Sequence, residues 1–560
     1  MTNYQFTGGT ICAPATIPGT GAISIIRVSG KESLAIADKI INTKGVPIAE
    51  TEGYRLRYGT VFEADGSVLD NVIVSVFRAP HSYTGENSVE ISCHASRFIV
   101  NKILELLVNA GARIAAPGEF TRRAFVNGKM DLAQAEAVAD VIASQSAASH
   151  RVAMNQLKGG FSSELKVLRE KLLTMTSLLE LELDFSEEDV EFASRKELGQ
   201  LVADSLTHIG RLTASFSRGN AIKNGVPVAI VGATNTGKST LLNALLGEER
   251  AIVSDIAGTT RDTIEETLNI DGILFRFIDT AGIRETDETI EKIGIDRTFK
   301  KLGEASVVLG MTDLSRGEAA VLEDADFILS KVNEMGGVKN VGAGSYGAET
   351  GGDSLAETGG APLAGTDGDS LAETGGTPPA ETGGASQHGH GDGQERKVVI
   401  LVNKCDVAGD FYRDDNGTVY GSGNDLGENM AEIGDNKNVN QDNNIVSLIE
   451  NKYDNCKVIP ISAKTGKGLS TLTKTLGEIG SEITGSTDET LVTNVRHYEA
   501  LVRAASALER VRAGLHIATL PPDLIAQDLR EALYHLGEIV GEISTDETLG
   551  NIFRNFCIGK

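Results

Sequence analysis

The sequence predicts a multidomain chain, α/β plus all-α: an α+β part at the N-terminus, then a helical domain into which a P-loop α/β domain is inserted. Three observations predict it. Strand-like and helical stretches alternate up to about residue 125. Long helical periodicity flanks the middle of the chain, over 131–218 and again over 494–556. Between the flanks a short apolar strand runs into a glycine-rich loop and then a helix. The expected parts are residues 1–125, 126–222, 223–480 and 481–560, the second and fourth being halves of one helical domain.

A chain of 560 residues exceeds one core, and length alone implies about three or four domains. The hydrophobic share of 41% supports a sizeable interior. No run approaches the roughly 18 apolar residues of a membrane helix. The opening MTNYQFTGGT has no basic region, apolar region or arginine, so neither a signal nor a transit peptide is expected. The chain reads as cytoplasmic, without a membrane partner. The five cysteines, Cys12, Cys93, Cys405, Cys456 and Cys557, form no CxxC pair and are odd in number. That argues against a disulfide framework or structural zinc.

The net charge of −26 opposes nonspecific nucleic-acid binding, which needs cations against phosphates. The charge is uneven, however. Residues 336–396 carry nine acids against two bases, and residues 407–447 carry eight against two. These stretches hold half of the excess, so a local RNA-contacting patch elsewhere stays compatible with the composition.

In chain order, the first part offers strands at Ala22–Val28, Arg55–Val61, Asn71–Phe77 and Ser88–Cys93, and a helix over Arg97–Ala110. The first helical flank shows Leu165, Leu168, Leu172, Met175, Leu178 and Leu179 at three–four spacing. In the third part, 336–396 repeats AETGG from Ala348, Ala356, Ala372 and Ala380. It has almost nothing apolar to bury and is expected to be disordered, as is the Asn/Asp/Gly-rich 408–444.

The strand Val226–Val231 leads into Gly232-Ala233-Thr234-Asn235-Thr236-Gly237-Lys238-Ser239, with Thr240 continuing the helix. Glycines let backbone amides face phosphates at a helix N-terminus that favours anions. Lys238 reaches the β and γ phosphates, and Ser239 ligates Mg²⁺. Chance alone gives this pattern in roughly a few per cent of such glycine-rich chains; three further elements in order remove that reading. Ser254-Asp255-Ile256-Ala257-Gly258-Thr259-Thr260 holds a switch-like threonine, Thr260, as a second Mg²⁺ ligand. The strand Phe275–Ile278 ends in Asp279-Thr280-Ala281-Gly282. The strand Val398–Val402 ends in Asn403-Lys404-Cys405-Asp406, and Lys457–Ile461 leads to Ser462-Ala463-Lys464. A carboxylate at Asp406 accepts from N1–H and N2–H₂ of guanine, a donor pair that adenine lacks. The nucleotide expected is therefore GTP.

Where Ras-like proteins place a water-orienting glutamine, Ile283 follows the DTAG glycine. Glu285 is a candidate base, a plain surface acid being the alternative; Arg284 and Arg261 are candidate arginine fingers.

Outside that site, GAISIIRVSG (21–30), SYTGENSVEIS (82–92), ARIAAPGEFTRRAFVNGKMDLAQAEAVAD (112–140) and the terminal FCIGK (556–560) resemble signatures of the bacterial tRNA-modification GTPase family MnmE (TrmE). The resemblance covers nearly everything but the two insertions. It implies an N-terminal folate-binding domain that dimerises, a helical domain made from both flanks, and an inserted G domain. It implies a homodimer that joins the FAD-dependent protein MnmG (GidA) in a heterotetramer. Together they would modify C5 of the wobble uridine (U34) of certain tRNAs, adding an aminomethyl or carboxymethylaminomethyl group from 5-formyl- or methylene-tetrahydrofolate. The family's folate contacts fall on Arg27, Glu90, Lys129 and Lys560. Its potassium ligands fall on Asn235, Ser254, Ile256 and Thr259, its catalytic acid on Glu285, and its C-terminal cysteine on Cys557. Read alone, Arg27 and Lys129 are more often surface charges and Cys557 a small buried hydrophobe. The chain departs from the family at Thr234, usually proline, and at Ala95 and Ser96, usually two glycines. The alternative reading is a ribosome-assembly or regulatory GTPase without RNA chemistry, which the G domain fits equally.

Overall fold

The computed structural model describes residues 8–63, 65–184, 194–247, 266–278, 305–334, 396–406, 412–413, 419–420, 445–453, 456–485, 489–516, 521–543, 545–554, 556 and 559. The N-terminal part is built on β1 (Ile11–Pro14), β2 (Ile23–Ser29), α1 (Ser33–Ile40), β3 (Ile41–Thr43), β4 (Arg55–Phe62), β5 (Val68–Phe77), β6 (Ser88–His94), α2 (Arg97–Asn109), β7 (Arg113–Ile114) and α3 (Glu119–Val126). The sheet runs β3-β4-β5-β6-β2-β1-β7 and is antiparallel except where β7 joins β1. The four strands expected from the sequence all form, with no end moved by more than three residues. Three short strands, β1, β3 and β7, carry too few residues to show a period.

Alternation sends one set of side chains into the core. Val72, Val74 and Val76 of β5, with Ile26 and Val28 of β2, pack under α1 and α2. The other face carries Arg27, Glu90, Tyr58 and Ile73, the last two directly opposite each other. Over β1 that second face is closed by Phe120 of α3, with Ile11 and Ala13. Over β4 and β5 it stays open.

The helical part comprises α4 (Leu132–Ala143), α5 (Ala147–Leu157), α6 (Gly160–Asp184), α7 (Arg195–Ala214) and α8 (Phe216–Asn224), and after the third part α13 (Val495–Leu515), α14 (Pro522–Val540) and α15 (Asp546–Arg554). Leu165, Leu172 and Leu179 of α6 share one core with Val202 and Ile209 of α7, Leu501 and Leu508 of α13, and Leu529 and Leu536 of α14. The flanks are thus one domain. A buried ion pair ties them: Arg496 donates to both oxygens of Glu136 at 2.9 Å, and Glu136 lies 2.6 Å from His497. Burial opposes the Glu136 charge, but His497 and Arg496 outweigh it and hold the carboxyl down at about 2. Burial also lowers His497, against the pull of Glu136.

The inserted part contains β8 (Val226–Gly232), α9 (Lys238–Gly247), β9 (Glu266–Ile270), β10 (Ile273–Ile278), β11 (Val307–Asp313), α10 (Glu318–Glu334), β12 (Lys397–Asn403), a hairpin of β13 (Tyr412–Arg413) and β14 (Val419–Tyr420), α11 (Ile445–Lys452), β15 (Cys456–Pro460) and α12 (Leu469–Thr484). The sheet order is β15-β12-β11-β8-β10-β9, parallel except for β9. α9 and α12 cover one face, α10 and α11 the other. Coverage on both faces explains why the central strands read as unbroken apolar runs. α12 runs to Thr484, four residues past the expected boundary, because Leu472 and Leu476 keep its amphipathic stripe on the sheet. Within 408–444 the β13–β14 ladder pairs Tyr412 with Tyr420, so that stretch is not wholly without structure as its composition led us to expect. Residues 336–395 lie outside the described residues.

Candidate functional site

β8 ends at Gly232 and α9 begins at Lys238, so the loop between them sits at the carboxyl edge of the sheet, where α/β folds bind ligands. Asn235 and Gly237 adopt left-handed φ of +61° and +98°. A Cβ on Gly237 would stand 2.4 Å from Asn403 Nδ2, and one on Gly232 2.4 Å from the Met311 carbonyl oxygen. Only glycine lets the loop close this tightly on the neighbouring strand ends. The Thr236 hydroxyl donates to the Ala233 carbonyl at 2.9 Å. Lys238 Nζ curls over its own loop, donating to the carbonyls of Gly232 at 2.9 Å and Ala233 at 2.7 Å. Burial lowers its pKa. A phosphate there would exchange two dipole partners for a full opposite charge. Ser239 and Thr240 follow on the first turn of α9, whose N-terminal dipole favours anions.

On the base side, Asn403 Nδ2 donates to the Thr236 carbonyl at 2.7 Å, while its Oδ1 accepts from the Ala463 amide at 3.0 Å. One buried side chain therefore ties the phosphate loop to the loop after β15. Lys404, at φ +64°, donates to Asp313 Oδ2 at 2.6 Å. Asp406 follows, half-buried. The Ser462 amide donates to the Lys467 carbonyl at 3.0 Å and its hydroxyl accepts from the Thr465 amide at 3.2 Å, which rounds the loop over buried Ala463 and leaves Lys464 exposed. The described motif residues thus converge on one edge. Ser254, Asp255, Ile256, Ala257, Gly258, Thr259, Thr260, Arg261, Asp279, Thr280, Ala281, Gly282, Ile283, Arg284 and Glu285 lie outside the described residues. Asp313 was missed in the sequence; a lone acid ending an apolar strand carries no spacing signal.

The second group lies on the N-terminal sheet. Arg27 and Glu90 are cross-strand partners, joined at 2.9 and 2.8 Å. The guanidinium carbon stands 5.2 Å from the Tyr83 ring centroid and 5.6 Å from that of Phe120. Arg27 also donates to the Gly559 carbonyl at 3.3 Å, so the end of the chain returns to this strand. Gly559 (φ +98°) would place a Cβ 2.0 Å from the Pro14 carbonyl oxygen. Lys129 is turned elsewhere, to the Pro80 carbonyl at 3.1 Å. Cys557 and Lys560 lie outside the described residues. The aromatic pair was not read from the sequence, since Tyr83 and Phe120 stand in no motif spacing with Arg27 and meet it only across the fold.

A nearly parallel sheet with a phosphate loop after its first strand, and an Asn-Lys-Cys-Asp turn bonded to that loop, defines a P-loop GTP-binding protein. Comparison with known proteins narrows the class. Residues 10–129 match the family model described as GTP-binding protein TrmE N-terminus, and residues 132–557 match the MnmE helical domain. The protein named tRNA modification GTPase MnmE of Parabacteroides distasonis is 44% identical over 98% of this chain and 100% of its own length. That of Flavobacterium johnsoniae is 43% identical over 98% of this chain and 99% of its own. The chain belongs to the MnmE family of tRNA modification GTPases. Among solved structures, the G domain of the T. maritima FeoB iron transporter is similar over 45% of this chain and 98% of that one, at 18% identity and TM-score 0.21, too low a likeness to carry an argument. Among the described residues no helix is long and apolar enough to cross a membrane.

Proposed function

We propose that the chain couples GTP hydrolysis to modification of C5 of the wobble uridine of certain tRNAs, acting with the flavoprotein MnmG (GidA) in a heterotetramer. The observation that carries this reading is likeness along 98% of the chain, through the N-terminal and helical modules as well as the G domain. A ribosome-assembly GTPase would share only the G domain. The added group is aminomethyl or carboxymethylaminomethyl, its carbon drawn from a one-carbon tetrahydrofolate. The Arg27–Glu90 pair beside Tyr83 suits such a ligand, because a carboxylate can accept the paired N–H donors of a pterin and the half-buried Tyr83 ring can stack on it. Lys129 and Lys560 would add cations for the folate carboxylates.

The homodimer is supported by the open face of the N-terminal sheet. Leu56, Tyr58 and Ile23 there are 66%, 59% and 67% exposed, an apolar surface that a second copy would cover. In the G domain, Ser239 and Thr260 offer the hard oxygen ligands that Mg²⁺ requires. Asn235, with Ser254, Ile256 and Thr259, would hold K⁺, which stabilises charge where an arginine finger otherwise does. Glu285 would orient the attacking water in place of the glutamine that Ile283 cannot replace. The site of action is the cytoplasm.

Mass spectrometry of tRNA nucleosides tests the proposal. A strain lacking the protein should lose the wobble-uridine modification and regain it when the chain is supplied. Unchanged nucleosides would return the protein to the ribosome-assembly reading. Equal GTPase rates in sodium and potassium would remove the role of the ion.

A further inference from the structure

The end of β11 carries a buried carboxylate that neither the phosphate loop nor the base-reading acid uses. Asp313 closes a strand whose seven residues are all buried, and it pairs in register with Asn403. Its Oδ1 accepts from the Ser315 amide at 3.0 Å and hydroxyl at 2.6 Å, and its Oδ2 from Lys404 Nζ at 2.6 Å. Burial works against the charge, but Lys404 and Ser315 outweigh it and hold the carboxyl below its ordinary value. Lys404 meanwhile sits in the left-handed region at φ +64°. A non-glycine residue is strained there and persists only where its surroundings over-determine it. That single residue reverses the chain between Asn403, aimed at the phosphate loop, and Cys405, whose amide donates to the Ile461 carbonyl at 3.3 Å.

We propose that Asp313 is a positioning residue for the guanine base, acting through Lys404. By holding the ammonium at the strand ends, it stretches the four-carbon stem of Lys404 beside the base pocket as an apolar wall for one face of the purine. It also braces the left-handed turn that presents Asp406 to the base edge. Phosphate neutralisation falls to Lys238, so Lys404 is free for this task. The inference rests on Asp406 reading guanine, and the two are tested apart.

The experiment uses the full chain with fluorescent GDP and GTP analogues. Asp313→Asn should weaken both nucleotides alike, by about tenfold, the loss of one charge-assisted hydrogen bond. KM for GTP should rise while kcat at saturation stays within about twofold, since the reacting phosphate is untouched. Asp313→Glu should recover part of the affinity, and Lys404→Met, which keeps the stem and removes the ammonium, should add little to Asp313→Asn, because both break one contact. Tighter or unchanged binding by Asp313→Asn would overturn the proposal, for the pair would then be a lock that nucleotide must break. A fall in kcat at unchanged KM would overturn it as well. Asp406→Asn tests the underlying reading: guanine preference retained in that variant defeats it, whatever Asp313→Asn shows.

Discussion

Asn403 is where the two sides of the nucleotide site meet, its amide bonded to both. Replacing it with alanine leaves the Thr236 carbonyl and the Ala463 amide buried without partners, each costing about 1–3 kcal/mol. Asn403→Ala should therefore lower the melting temperature and weaken GTP and GDP together, measured by thermal shift and by titration. Asp406→Asn acts differently. An amide donates where the carboxylate accepted, so the variant should lose GTP and gain xanthosine triphosphate, read from competition binding. At this scale the sequence was legible wherever chemistry demands fixed spacing. Gly237, Lys238, Asn403, Asp406 and Ala463 all stand in motifs, and Asn403 bonds the loop of the first two to that of the last. Asp313, Tyr83 and Phe120 stand in none, because their roles come from strand register and from side chains brought together by folding.

The C-terminal element is a helix and a short tail that behave as part of a distant domain. Phe553 and Phe556 pack against Gly118, where a Cβ would stand 2.8 Å from the Phe553 carbonyl oxygen, and Gly559 closes on β1. Deleting residues 556–560 should leave GTP affinity unchanged, yet weaken folate binding and abolish tRNA modification, measured by equilibrium dialysis and nucleoside analysis. Elements were legible in proportion to their length. The flanking helices announce themselves over many turns, whereas β1, β3 and β7 are two to four residues long. β11 escaped because Gly310 interrupts its apolar run and the 336–396 insertion separates it from β12, its partner in the ladder. The pairing of α4 with α13 through Glu136 makes a further prediction. Its carboxyl titrates at about 2 against an ordinary 4.5, so its contribution is complete above 4.5 and is lost as pH falls towards 2. Glu136→Gln should cost about 3–5 kcal/mol near neutrality, and its deficit should shrink across that acid window in pH-dependent melts.

Across the whole molecule, the inserted domain is held at both of its junctions. Lys223, just before β8, pairs with Asp140 of α4 at 2.8 Å. Arg218 donates to the Thr484 carbonyl at 3.4 Å, and a Cβ on Gly219 would stand 2.1 Å from the Val492 carbonyl oxygen. The turn between β9 and β10 also docks on the helices: Asn269 donates to the Gln145 carbonyl at 2.9 Å, and the Ala148 amide to Gly272 at 3.4 Å. By contrast, deleting residues 340–392 should leave melting temperature and GTPase rate nearly unchanged, since loop-closure entropy varies slowly with length. A large loss of either would show that the repeats fold or dock.

The shared core of α6, α7, α13 and α14 has a consequence in time as well as in space. A ribosome makes α8 some 270 residues before it begins α13, an interval of roughly 14–54 s at ordinary elongation rates. Throughout it, Leu165, Leu172, Val202 and Ile209 have emerged without the helices that cover them. The G domain completes its own sheet during that wait, and only then does the last part of the chain arrive to seal the older helices. The nascent protein therefore passes through a stage with a finished switch and an open helical seam, the stage at which chaperones would find it.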